Sequence, residues 1–240
     1  MAFRRARWFA LAIISAATVA HAQDAAKPPT ALTPFTATYS VEWRGMTAGV
    51  MTMRMTESSP NYFSYESTTL ARGLARLLVS DAVKQASSFR VEGGTVVPVS
   101  FRGVDEKERA TQIEFDWTGK RLTGVSRGST IDVPLDAAAH DPLTLQVATQ
   151  RELAAGALTG RVWMFDGDRL KEFEQRREKA TRLKTALGEV DTVSVTTQRV
   201  GSNRLTRTWY APTLGYLPVQ AQRVRDGKPE VTIRIRTLKR

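Results

Sequence analysis

Apolar side chains fall on every second position from Phe35 to Trp43: Phe35, Ala37, Tyr39, Val41 and Trp43 alternate with Thr36, Thr38, Ser40 and Glu42. A period of two puts the apolar set on one face of a strand. Gly45 to Gly49 can turn the chain, and Met51, Met53 and Met55 then alternate with Thr52, Arg54 and Thr56 in a second strand. Further strands are predicted over 62–70, 81–91 and 96–102, separated by Pro60-Asn61 and by Glu92-Gly93-Gly94. Ile113, Phe115 and Trp117 share one face of the next strand, with Glu114 and Asp116 on the other, and residues 121–134 supply one or two short strands. From Val162 to Leu238 the period-two runs are punctuated by Asp166-Gly167-Asp168, Leu187-Gly188, Gly215 and Asp226-Gly227, the pattern of consecutive antiparallel hairpins. In the last run Val231, Ile233 and Ile235 alternate with Thr232, Arg234 and Arg236, so one face is apolar and the other cationic.

Three stretches break this rhythm. Asp141 is a good N-cap, Pro142 suits the first helical position, and Gly156 follows as a C-terminal stop, which predicts one helix packed on the sheet. Leu143, Val147, Gln150 and Ala154 lie along one stripe of it. Leu70, Leu74, Leu77 and Leu78 fall at helical spacing, which reads either as a short amphipathic helix capping the sheet or as an apolar loop over a ligand or membrane. Leu74, Leu77 and Leu78 are therefore the candidate lid. The run from Lys171 to Lys184 is dense in Lys, Arg and Glu and reads as an outer, solvated strand pair, with a helix as the alternative. The expected fold is mainly β: a strongly curved antiparallel sheet or open barrel with one packed helix and a short helical lid.

Arg4-Arg5-Ala6-Arg7, an apolar run from Trp8 to Ala20 and the small-x-small triplet Ala20-His21-Ala22 match a signal peptide, with cleavage expected after Ala22. Residues 23–34, rich in Ala, Pro and Thr, read as a flexible leader to one β-rich domain over 35–240. On this reading the protein is periplasmic, and no transmembrane span follows cleavage. The formal charge of +11 falls to +8 without Arg4, Arg5 and Arg7, a surplus that suits anionic surfaces and also keeps strand edges apart.

Candidate chemistry is thin. There is no cysteine, which excludes a disulfide, a lipobox and thiolate metal sites. His140 stands alone beyond the leader, and no Gly-x-Ser-x-Gly elbow supplies a serine for it to serve. The three methionines read as core filler rather than a soft-metal site. No glycine-rich phosphate loop occurs, Asp166-Gly167-Asp168 lacks the spacing of a calcium loop, and no cofactor is expected. Two carboxylate pairs, Glu114 with Asp116 and Asp166 with Asp168, are the residues an acid–base hydrolase of cell-wall or polysaccharide substrates would use.

Several motifs in order carry a resemblance: Asp141-Pro142-Leu143-Thr144, Phe165-Asp166-Gly167-Asp168, Leu187-Gly188-Glu189, Arg207-Thr208-Trp209-Tyr210-Ala211-Pro212 and Gly215-Tyr216-Leu217-Pro218-Val219, preceded by Tyr39, Gly45 and Gly49. Together they resemble a bacterial exported family catalogued as domain of unknown function 3108. The resemblance implies a β-rich envelope protein and brings no established catalytic residue. At fold level the pattern is similar to the curved sheets of lipoprotein carriers, which licenses no function by itself. The leading expectation is a non-enzymatic envelope protein binding an apolar or amphipathic ligand such as a lipid, with Trp43, Phe115, Trp163, Trp209 and Tyr216 lining the interior and Arg side chains at its rim. A fully packed interior stays open beside it. Two other classes also stay open: a module that binds another envelope protein by strand addition at a sheet edge, and the carboxylate-dependent hydrolase. Export disfavours a nucleic-acid partner.

Overall fold

The computed structural model of the protein describes residues 31–73, 82–105, 107–135 and 138–240. The expected signal peptide, most of the leader and the candidate lid residues Leu74, Leu77 and Leu78 lie outside the described residues. The first eight strands are β1 (Phe35–Trp43), β2 (Met46–Ser59), β3 (Tyr62–Ala71), β4 (Val83–Glu92), β5 (Thr95–Val104), β6 (Ala110–Asp116), β7 (Arg121–Ser126) and β8 (Ser129–Pro134). After the two-residue β9 (Ala139–His140) comes helix α1 (Pro142–Ala154). The chain then adds β10 (Arg161–Phe165), β11 (Leu170–Thr185), β12 (Gly188–Arg199), β13 (Arg204–Ala211), β14 (Leu217–Arg225) and β15 (Lys228–Lys239).

All fifteen strands belong to one sheet, in which each pairs with its neighbours in sequence and β1 pairs with β15 at the centre. The two edges are therefore β8 and β9, which are adjacent in the chain yet farthest apart in the sheet. From Pro134 to Ala139 an extended chain reaches at most about 18 Å. That tether forces the sheet to curl until its edges face each other. Register shifts supply the bending at Val41/Glu42, Thr38/Tyr39, Glu57/Ser59, Ser88/Phe89, Arg177/Ala180, Trp209/Tyr210 and Arg223/Val224. The result is a single open, curved sheet that does not close by hydrogen bonds. Side chains bridge the gap instead: Ile131 on β8, Ala139 on β9 and Phe165 on β10 share a core with Phe101, Ile113 and Leu122. Ser126 donates to the Gly167 carbonyl across the same seam.

The helix lies within the curl. Nine of its thirteen residues are buried, far more than one apolar stripe requires, because sheet surrounds it on several sides. Its start is built as expected: the Asp141 side chain accepts from the Leu143 and Thr144 amides, while the Thr144 hydroxyl accepts from the Asp141 amide. Its polar residues are tied inward rather than hydrated. Gln146 donates to the Tyr65 hydroxyl at 2.6 Å, Arg151 Nε to the Gly94 carbonyl at 2.9 Å, and Thr149 accepts from Gln175 at 2.9 Å. The inner faces of β1, β2, β3 and β15 complete the main core with Ala37, Tyr39, Met53, Met55, Tyr65 and Ile235.

Most predicted strands are found with small boundary shifts, and residues 121–134 form two of them, β7 and β8; β2 instead starts at Met46, so the turn expected over Gly45 to Gly49 is confined to its start and Gly49 is paired within the strand. The charged stretch is the longest strand of all, β11, paired along its length with β12.

Candidate functional site

A half-open cavity of ≈ 330 Å³ lies between the first turn of α1 and the inner face of the sheet. Strand alternation brings Tyr39, Met51, Met53, Ala221 and Ile233 to it from four strands, and Pro142, Leu143 and Gln146 face them from the helix. Ser67, Gln85, Thr206, Thr208 and Gln220 add polar side chains beside Gln146, in a wall whose apolar part comes from the methionines, Leu143, Ala221 and Ile233. The register explains why these strands contribute together: Val41 stands opposite Ile233, Ile233 opposite Ala221, and Ala221 opposite Thr208. Small side chains at Ala221, Thr208 and Ser67 leave the space that larger ones would fill.

The polar groups of the wall are held firmly. The Tyr39 hydroxyl donates to the Pro218 carbonyl at 3.0 Å, and burial pushes its pKa well above the usual tyrosine value. Burial likewise raises Tyr65, which donates to Met53 Sδ at 3.6 Å. Below the cavity floor the fully buried Asp141 accepts from Ser87 at 2.6 Å and from the Thr144 hydroxyl at 2.7 Å. Burial raises the Asp141 pKa, and the four donors hold it down in part. The neighbouring His140 is pushed down to about 4 by burial, and its Nδ1 is enclosed without a hydrogen-bond partner among the described residues. The ring is therefore neutral near pH 7.

A second cavity of ≈ 310 Å³ opens at the far end of α1, lined by Leu32, Phe35, Met55, Gln150, Leu214 and Tyr216. Of the five rings expected to line the interior, Tyr216 faces this second space. Trp209 belongs to the main core and Phe115 to the seam core, stacked on Trp117. Trp43 and Trp163 are exposed, at 40% and 42%. The structure does not bring the five together. What walls the inner cavity includes Met51 and Met53 of the methionine row, with Thr206 and Thr208, while Met55 lines the second space. The Met51–Met53–Met55 alternation was the visible signal for the methionines, whereas the threonines carry no signal without the register.

The carboxylate pairs are explained by turns and surface. Glu114 and Asp116 lie opposite the buried Ile113 and Phe115 face, and Asp116 accepts from the Gly119 amide at 2.8 Å to shape the next turn. Lys171 bridges Asp166 at 3.2 Å and Asp168 at 2.8 Å. Its hydrogen bond holds the Asp168 carboxyl below the usual range, the opposite of what a general acid needs.

Among solved structures the chain is similar to a β-barrel-like protein of domain of unknown function DUF1849 from Brucella abortus. The identity is 12%, with 88% of this chain and 98% of that chain covered and a TM-score of 0.57. That likeness shows the fold alone. Weaker likenesses include MucB, at 11% identity, 86% and 52% coverage and a TM-score of 0.34. Another is a protein described as exported, with a YmcC-like fold, from Bacteroides fragilis, at 9% identity, 86% and 95% coverage and a TM-score of 0.37. A search of the curated proteins finds no match. No helix among the described residues is long and apolar enough to cross a membrane. The profile of the family "Protein of unknown function (DUF3108)" matches residues 38–234, and the chain belongs to that family.

Proposed function

We propose that the protein works in the bacterial cell envelope as a non-enzymatic binding protein, holding an apolar or amphipathic ligand in the cavity between the start of α1 and the inner sheet face. The observation that carries this reading is the cavity itself: ≈ 330 Å³, with an apolar wall of Tyr39, Met51, Met53, Leu143, Ala221 and Ile233 and amide and hydroxyl groups of Gln85, Gln146, Gln220 and Thr208 beside it. Small-molecule sites have this size and this mix of apolar wall and sparse polar anchors. The charged start, apolar run and Ala20-His21-Ala22 triplet support export to the periplasm.

Native mass spectrometry of the protein purified from its host, with extraction of bound lipid, tests the reading. A lipid at near one-to-one occupancy is expected, and Ala221→Leu, which fills the cavity, should abolish it. Protein that arrives empty, with another envelope protein bound instead, would shift the reading to a partner module acting through the β8 edge.

A further inference from the structure

We propose that the turn-bearing end of the sheet around Trp43 docks on a membrane surface containing anionic phospholipid. The register assembles this end from residues far apart in sequence. In one row Met46, Trp43, Val231, Arg223 and Thr206 stand opposite one another across five strands. Thr206 also lines the inner cavity, so the row meets that cavity at one of its five residues. One step toward the turns, Arg204 stands opposite Arg225, and Arg225 opposite Lys228.

Three cations directly opposite one another across adjacent strands repel, and such pairs destabilise a sheet. The nearby carboxylates offset this only in part. Glu230 lies 3.9 Å from Arg223 and 3.8 Å from Arg225, and Asp226 lies 3.9 Å from Arg225. Arg204 and Lys228 have no ion pair among the described residues. A phosphate-bearing surface would supply the missing charge.

The apolar half of the signature sits beside these cations. Trp43 is 40% exposed, Met46 58% and Val200 50%, although large apolar groups elsewhere in the sheet are mostly inside. The Arg44 guanidinium lies 5.0 Å over the Trp43 ring, and the Arg44 amide donates to the Glu230 carbonyl, which joins this corner to β15. The Asn203 side chain donates to Asp226 at 2.7 Å and ties the turns before β13 and β15 together. Tryptophan flanked by Arg and Lys is the side-chain set that settles at the boundary between lipid headgroups and acyl chains. Strands β11 to β15, at both of their ends, carry the cationic surplus of the chain. Residues 170–240 hold sixteen Lys and Arg against seven Asp and Glu, whereas residues 31–169 hold fifteen against sixteen.

Cosedimentation of the purified protein with phosphatidylcholine vesicles, with and without phosphatidylglycerol, tests the proposal. Binding should require phosphatidylglycerol and weaken with added salt. The exposed pair Arg204→Glu/Lys228→Glu should lower binding by about tenfold or more. Lys179→Glu/Lys184→Glu makes the same change in net charge toward the opposite end of β11 and should leave binding nearly intact. Lipids brominated in the acyl chain should quench tryptophan emission in the unaltered protein far more than in Trp43→Phe. Equal losses in the two charge pairs, or quenching that survives Trp43→Phe, would overturn the proposal, as would indifference to phosphatidylglycerol. Ala221→Leu should displace the ligand from the cavity without changing vesicle binding, so the ligand reading and the docking reading can fail separately.

Discussion

Ser87 on β4 donates a hydrogen bond of 2.6 Å to Oδ1 of Asp141, and neither residue is open to water. This contact joins the helix cap to the sheet wall, so one carboxylate both starts α1 and fixes where it sits inside the curl. Removing it should cost both functions. Asp141→Ala loses a cap, about 0.5–2 kcal/mol, and strands the Ser87 hydroxyl, about 1–3 kcal/mol more, while Thr144 keeps its bonds to the Asp141 backbone. Ser87→Ala should cost less, and the double variant should cost less than the sum of the two. Urea unfolding of the four proteins measures the coupling, and additive losses would show that the contact contributes nothing of its own.

The Asp141 and His140 neighbours should respond to pH in opposite directions. His140 titrates at about 4 in the folded protein and near 6.5 unfolded, so its contribution is present above pH 6.5 and is lost as pH falls toward 4. The gap corresponds to at most about 3 kcal/mol, reduced because water reaches part of the residue. His140→Gln should flatten this acid-side loss between pH 6.5 and 4. Asp141 is raised by burial, so its contribution is greatest below its unfolded pKa and declines as pH rises through the folded one. Asp141→Asn should remove that decline. Urea midpoints across pH 4–7 separate the two slopes.

Backbone crowding makes Gly49 irreplaceable. A Cβ there would sit 2.4 Å from the Leu70 carbonyl oxygen on the paired strand, and backbone cannot step aside as a side chain can. Gly49→Ala should destabilise by about 1–3 kcal/mol. Gly160→Ala, where a Cβ meets nothing within 4 Å, should be near neutral in the same thermal melts.

The seam should be the weakest part of the sheet. β8 has one strand partner, β7, and is held to β9 and β10 by the Ile131, Ala139 and Phe165 packing. Amides of β8 should exchange with deuterium faster than those of β1 or β15, which have partners on both sides. Ile131→Ala should cost about 2–5 kcal/mol and promote association through the freed edge, visible by light scattering.

Local rules of chain chemistry reached most of the strands and the helix. The Phe35–Trp43 alternation, the Asp141-Pro142 start and the Gly-containing turns each follow from steric or hydrogen-bonding preferences within a few residues, so they were legible in the sequence. The family pattern was legible too, and its residues prove structural where the contacts are seen: Tyr39 bonds Pro218, Asp141 bonds Ser87, and the Gly215 carbonyl accepts from Gln150.

The cavity wall was decided elsewhere. Alternation put Trp43 in phase with the buried Tyr39 and Val41, yet it is the last residue of β1 and is exposed beside the turn. Trp163 lies on a short strand near the sheet's edge and is exposed as well. Which inward positions enclose space, and which cations face one another, depend on strand partners brought from up to two hundred residues away and on bulges that shift register by one. Those pairings are set by the closing of the whole sheet around α1, a sum of long-range contacts that no local stretch of sequence encodes.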